Sequence, residues 1–147
     1  MIGRLSGKLV QIKHPQIIID VAGVGYEVDL PISDCTNLPA ADGTMITIYT
    51  HMVVREDAHS LYGFLKLESR DCFRTLIKVS GIGPRIALAL LSTLTPNELQ
   101  IALEQADIVT LCRTPGIGKK MAERMILELK GKLHLEVDFV PNAAIAS

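Results

Sequence analysis

The sequence contains no tryptophan, and its 147 residues include only three Phe and three Tyr. A surface that stacks bases on aromatic rings has little material here. The three cysteines, Cys35, Cys72 and Cys112, are odd in number and widely spaced, with no Cys-x-x-Cys pair. That argues against a disulfide framework or a zinc site. Cys72 and Cys112 fall in apolar-periodic stretches and read as small core residues. His14, His51, His59 and His134 lack ligand spacing and read as surface or sheet residues, so no metal is expected. No run approaches the roughly 18 apolar residues of a membrane helix. The first residues, Met1 to Lys8, lack the apolar stretch of a signal peptide. The expectation is a cytoplasmic protein without a membrane partner. Neither charge dominates: 15 Lys+Arg stand against 16 Asp+Glu, a formal net charge of −1. A general nucleic-acid binder is usually basic, so the total charge speaks against one.

What is present is a chain that is 48% hydrophobic, too apolar for disorder and long enough for one medium domain or two small ones. The first 66 residues read as strands. Ile2 to Lys13 is β-rich, with Gly3 and Gly7 as bends or bulges. Gln16 to Val21 carries Ile17-Ile18-Ile19. Ala22-Gly23-Val24-Gly25 interrupts, and Tyr26 to Leu30 resumes, a hairpin signature. Pro31 to Gly43 is loop-like. Met45 to Val54 alternates β-branched residues, Arg55-Glu56-Asp57 breaks it, and Ala58 to Lys66 returns as a further strand. Five or six short strands in this span fit a small Greek-key barrel of the OB type.

From Glu68 the apolar period becomes helical, with Cys72, Phe73, Leu76, Ile77 and Val79 three or four apart. Pro84 to Leu94 is a helix with proline in its first turn. Thr95-Pro96-Asn97-Glu98 has the form of a capped helix start, continuing to about Gln105. Asp107 to Arg113 is short and helical, and Lys119 to about Lys132 is the last helix. Val137 to Ser147 is a tail of small residues without amphipathic period. The fold class is therefore mixed, β then α: a barrel over residues 1–66, an all-helical domain over 67–134, and a linker-like stretch over 135–147.

The helical part repeats with an offset of 35. Thr75 to Ala87, containing Ser80-Gly81-Ile82-Gly83-Pro84-Arg85, aligns with Thr110 to Ala122, containing Pro115-Gly116-Ile117-Gly118-Lys119-Lys120. Thr, Leu, Gly, Ile, Gly and Ala coincide. Each copy is a helix, a Gly-Ile-Gly turn and a helix with basic residues at its start. Two glycines permit a tight turn and close backbone approach, and Ile82 or Ile117 can plug into the core. The second helix then offers unpaired N–H groups and the positive end of its dipole to an anion. Arg85 in one copy, and Lys119 and Lys120 in the other, add cations beside it. Phosphate is the obvious anion, and such contacts hold position without reading sequence. A Gly-Ile-Gly turn can also simply join packed helices; two copies followed by basic residues favour the anion site. A P-loop fails, since position 113 is Arg and position 120 is Lys where Gly and Ser/Thr are needed. A Rossmann turn fails for want of a parallel βαβ pattern. No ATPase and no cofactor are expected.

The paired Gly-Ile-Gly units look like tandem helix-hairpin-helix motifs. Taken with Met1-Ile2-Gly3-Arg4-Leu5, Gly23-Val24-Gly25-Tyr26-Glu27-Val28, Thr50 to Ala58, Leu61-Tyr62-Gly63-Phe64 and Leu111 to Arg124, the chain resembles the RuvA family of bacterial Holliday junction-binding subunits over about residues 1 to 140. The resemblance implies a non-catalytic DNA-binding subunit of a branch migration complex in recombination and repair. It implies a homotetramer, sometimes two face to face, that holds a four-way junction open. It implies an ATPase partner, RuvB, and a possible meeting with the resolvase RuvC. By motif match the DNA-binding positions would be Gly81, Gly83, Arg85, Gly116, Gly118, Lys119, Lys120 and Arg124. Glu56 and Asp57, flanked by Arg55, match the family's acidic pin at the crossover. Four subunits would set eight carboxylates around one axis, opposing continuous duplex there, though an acidic pair can also be only a solvated turn. The family's third domain, which binds the motor, lies beyond a linker. The sequence ends at Ser147, so that domain is expected to be missing and coupling to RuvB impaired.

Two other classes stay open: a helix-hairpin-helix DNA-repair enzyme, for which Asp107 is poorly placed, and a helical protein-interaction module. The charge also looks different by region. Residues 1–66 sum to −2, residues 67–134 to +3 and residues 135–147 to −2. Near-neutrality is a cancellation, with the basic excess lying in the segment that holds both hairpins.

Overall fold

The computed structural model describes residues 1–133; the tail over 135–147, and His134, lie outside the described residues. The chain divides into two compact units, the first Met1–Arg70 and the second starting at Asp71.

The first unit holds five strands: β1 (Arg4–Lys13), β2 (Gln16–Val21), β3 (Val24–Asp29), β4 (Met45–Val54) and β5 (His59–Phe64). They close into a barrel in the order β1-β2-β3-β5-β4. All neighbours are antiparallel except β3 and β5, which meet in parallel at a single register pair, Asp29 opposite Tyr62. This is the five-stranded OB-type answer expected from the strand count. Alternation decides which side faces in: Leu5, Leu9, Ile17, Ile19, Val28, Leu30 and Ile48 form the core with Cys35, while Arg4, Ser6 and Lys8 face out. Beside the β3–β5 seam a groove of about 480 Å3 opens, lined by Tyr26, Glu27, His59 and Leu61 among others.

Three local expectations change. The bulge in β1 falls at Val10, where the register to β2 slips between Leu9 and Gln11. Gly7 instead sits inside a regular stretch because a Cβ there would run into the carbonyl oxygen of Asp20 on β2; it is a close-approach glycine. The hairpin between β2 and β3 turns on Ala22 and Gly23 alone, at φ 53° and 93°. Positive φ at both central residues is the twist-matched two-residue hairpin turn. The Asp20 carboxylate accepts the Gly23 N–H at 2.8 Å, so Val24 and Gly25 belong to β3. The stretch over 31–43 contains a short helix, α1 (Ile32–Cys35). Asp34 on it accepts the Leu65 N–H at 3.1 Å; burial raises its carboxyl above the usual range, and that hydrogen bond pulls it partly back. Thr50 is fully buried and donates to the Ile2 carbonyl at 2.6 Å. Arg70 donates to the Gly3 carbonyl at 2.7 Å, so the first three residues are tied down without being a strand.

Helix α2 (Leu67–Leu76) runs across the boundary between the units. The second unit continues with α3 (Pro84–Thr93), α4 (Pro96–Glu104), α5 (Ile108–Leu111) and α6 (Lys119–Leu129). Thr95 and Glu98 form a reciprocal capping box at α4: the Glu98 N–H donates to Thr95 Oγ1 at 3.1 Å and the Thr95 N–H to Glu98 Oε1 at 2.9 Å, as Thr-Pro-x-Glu predicts. Phe73, Leu76, Leu90, Leu99, Leu103, Leu111 and Met125 are buried. Cys72 joins them, and burial pushes its thiol up to about 12. Cys112 is only half-buried, whereas Cys35 is buried. No single helix among the described residues is long and apolar enough to cross a membrane.

Candidate nucleic-acid interface

The 35-residue offset in sequence is also an offset in backbone geometry. Gly81 and Gly116 both take φ 94°, a left-handed value that glycine reaches without strain. Gly83 and Gly118 are the N-caps of α3 and α6, at φ −92°, ψ 178° and φ −98°, ψ −177°. The apolar residue between the glycines turns inward: Ile82 is 3% exposed and Ile117 is 5% exposed. Each donates backward, Ile82 N to Val79 O at 3.0 Å and Ile117 N to Thr114 O at 3.1 Å. Each helix then closes its first bond onto the capping glycine, Ala87 N to Gly83 O at 3.0 Å and Ala122 N to Gly118 O at 2.9 Å. The backbone N–H groups ahead of that bond have no helical acceptor.

The two turns cover one another. A Cβ at Gly81 would meet Met121 Cε of α6 at 2.5 Å, and a Cβ at Gly116 would meet Ile86 Cγ1 of α3 at 3.5 Å. Ile86 and Met121 are themselves 35 apart. The hairpins therefore form a pseudo-twofold pair, each capped by the same position of the other. The sequence relates these covering residues through the repeat, but periodicity assigns a face and not a contact.

Gly81, Gly83, Gly116 and Gly118 are exposed, and Arg85, Lys119 and Lys120 project as exposed side chains at the starts of α3 and α6. Nothing among the described residues pairs with these three cations. The structure thus gathers the first-hairpin residues at one helix start and Lys119 and Lys120 at the other. Arg124 lies elsewhere than its place in the sequence suggests. It leaves the second hairpin's helix, donates from Nη1 to the Ser80 carbonyl of the first turn at 3.3 Å, and stands 3.9 Å from Glu128.

The pair is not perfectly symmetric. Thr114 takes the place that Val79 holds in the first copy. Both are buried, and Thr114 Oγ1 finds no hydrogen-bond partner among the described residues. A buried unpaired hydroxyl costs about 1–3 kcal/mol. Thr114→Val should therefore raise the urea midpoint, by about 1 kcal/mol in stability; an unchanged or lowered midpoint would mean the hydroxyl is satisfied after all.

Glu56 and Asp57 belong to the first unit. They form the tip between β4 and β5, a turn closed by Arg55 N donating to Ala58 O at 2.8 Å. Arg55, Glu56 and Asp57 are all exposed. In nucleic-acid-binding barrels of this type the loop between strands four and five is a contact element; here it carries two carboxylates at its apex. Asp107, the carboxylate weighed above for a repair enzyme and poorly placed for it in the sequence, is a helix cap. Its oxygens accept the Thr110 hydroxyl at 2.6 Å and the Thr110 N–H at 3.1 Å. These bonds hold its carboxyl below the usual range, which suits a structural anion better than a proton carrier. No group of three His, Cys, Asp or Glu among the described residues could hold a metal ion.

Comparison with known proteins agrees with this architecture. Residues 1–63 match the model for the RuvA N terminal domain, and residues 73–132 match that for the SAM-like helix-hairpin-helix tandem. Three relatives named "Holliday junction branch migration complex subunit RuvA" illustrate the similarity. The protein of Chromobacterium violaceum is 59% identical over 90% of this chain and 67% of its own length. That of Laribacter hongkongensis is 57% identical over 90% of this chain and 65% of its own. That of Nitrosospira multiformis is 54% identical over 98% of this chain and 73% of its own. The chain spans about two thirds of the length of these relatives. Joined to a closed five-stranded barrel and a duplicated Gly-Ile-Gly hairpin, this similarity places the chain in the RuvA family.

Proposed function

We propose that this chain binds four-way DNA junctions as a homotetramer and holds them open for branch migration by an ATPase partner, with no catalytic step of its own. The observation that carries the reading is the matched pair of hairpins. Two helix starts with unpaired N–H groups, cations beside each and a fixed mutual packing suit two phosphates of one duplex. Gly81, Gly83 and Arg85 serve one grip, and Gly116, Gly118, Lys119 and Lys120 the other, with Arg124 contributing. The barrel over residues 1–66 supports assembly and carries the pin, Glu56 and Asp57. Around a fourfold axis these carboxylates would face phosphates and disfavour uninterrupted duplex. The helical part that carries both hairpins holds the arms. The relatives are named as subunits of a branch migration complex; the partner in this reading is an ATPase of the RuvB kind, with RuvC as a further visitor to the same junction. A cytoplasmic site of action follows from that role.

The test is a mobility-shift comparison of a synthetic four-way junction with linear duplex of equal length, coupled to sizing of the complex. Preference for the junction by on the order of a hundredfold or more, about 3 kcal/mol, in a complex holding four or eight chains, is the expected result. Equal affinity for the two DNAs, or a monomeric complex, would sink the reading.

A further inference from the structure

We infer that Arg124, although it lies in the second helix-hairpin-helix copy, belongs to the first phosphate grip and completes it across the motif boundary. This rests on the phosphate-gripping reading above.

The two grips are unequal when counted from their own residues. The second helix, α6, begins with Lys119, which keeps its N–H and adds an ammonium, and Lys120 adds another. The first, α3, begins with Pro84, which has no N–H to offer, and Arg85 is its single cation. Arg124 offsets the difference. Its Nη1 donates to the carbonyl of Ser80 at 3.3 Å, one residue before the Gly81 turn. The same nitrogen lies 3.9 Å from where a Cβ of Gly81 would stand. The position 35 residues earlier is Ala89, so the first copy sends no arm back to the second turn. The Arg124–Glu128 pair is long at 3.9 Å, and the two side chains are 50% and 42% exposed, so it restrains the guanidinium weakly. A guanidinium has five donors in a planar fork. One edge can hold the Ser80 carbonyl while the remaining donors face an anion at the first turn. Each grip then has two cations: Arg85 with Arg124, and Lys119 with Lys120.

The experiment is a double-mutant cycle on the whole chain, with a synthetic four-way junction as probe and a salt titration for every variant. Arg85→Gln, Lys120→Gln and Arg124→Gln are made singly, and Arg124→Gln is combined with each of the others. The expected result is a shallower salt dependence for Arg124→Gln, with Arg124→Lys retaining the slope. Its effect should be non-additive with Arg85→Gln by about threefold or more in affinity and additive with Lys120→Gln. Coupling to Lys120 in place of Arg85 would overturn the assignment, as would additivity with both. A weakened affinity with unchanged slope would also overturn it, since that is the mark of a purely structural clamp. If Arg85→Gln and Lys120→Gln alter binding and Arg124→Gln does not, only this inference fails. If none of the three alters binding, the phosphate-gripping reading fails with it.

Discussion

Replacing Lys119 and Lys120 together with Ala should produce a large loss of junction binding. Both side chains are exposed at the start of α6 and make no partner among the described residues, so the fold has little reason to notice; surface changes of this kind usually stay within about 0.5 kcal/mol. DNA would notice. Each phosphate neutralised contributes about 0.9 to the slope of log affinity against log salt. In a tetramer up to eight contacts disappear, which would flatten the slope by up to about 7. Between 50 and 200 mM salt, the wild-type protein should then lose up to on the order of ten-thousandfold more affinity than the variant. The measurement is a junction titration at three or four salt concentrations. An unchanged slope would remove the second hairpin from the interface.

Neutralising the acidic tip, Glu56→Gln with Asp57→Asn, should act in the opposite direction and on a different substrate. The tip is an exposed turn whose backbone is closed by Arg55 and Ala58, so neutral isosteres leave its shape intact. What changes is repulsion: eight carboxylates around a fourfold axis become eight amides. Like charges forced together at an interface cost several kcal/mol, less at exposed sites. A gain of on the order of tenfold in affinity for linear duplex, about 1.4 kcal/mol, is the expected scale. Junction affinity should change less, so the junction-to-duplex ratio falls. The gain should be greatest at low ionic strength, where screening is weak. Unaltered duplex affinity at 50 mM salt would reduce Glu56 and Asp57 to an ordinary solvated turn.

Much of this is legible in the sequence, for identifiable reasons. Proline at the first helical position and Thr-Pro-x-Glu have one low-energy meaning each, and both α3 and α4 start where those signals stand. The Gly-Ile-Gly repeat was readable because left-handed φ at Gly81 and Gly116 is something few other residues supply. What escaped the sequence was three-dimensional. Four residues over 22–25 looked like one interruption because two of them are glycine. Only Ala22 and Gly23 carry positive φ, and alanine in that conformation is not a signal a sequence displays. Gly7 looked like a bend because the reason for it, the Asp20 carbonyl on the next strand, is thirteen residues away. Arg124 sits in the second motif by every sequence criterion. A long side chain reaching a carbonyl 44 residues back leaves no periodic trace.

The reciprocal cover between the hairpins, Met121 over Gly81 and Ile86 over Gly116, has a consequence for how shape is sensed. Neither turn can swing without displacing the residue that caps it, and that residue is rooted in the other helix. The spacing between the two grips is set by these side chains packed on the facing glycines and is not adjustable by flexible arms. Under the proposed function, the pair works as a calliper of fixed opening. A double helix of the right width fills both jaws together, and a strand pair of another width can satisfy one jaw only by giving up the other. Discrimination of this sort needs no base contact. It would show as an all-or-none response to backbone geometry within a single subunit, before any symmetry of the assembly is engaged.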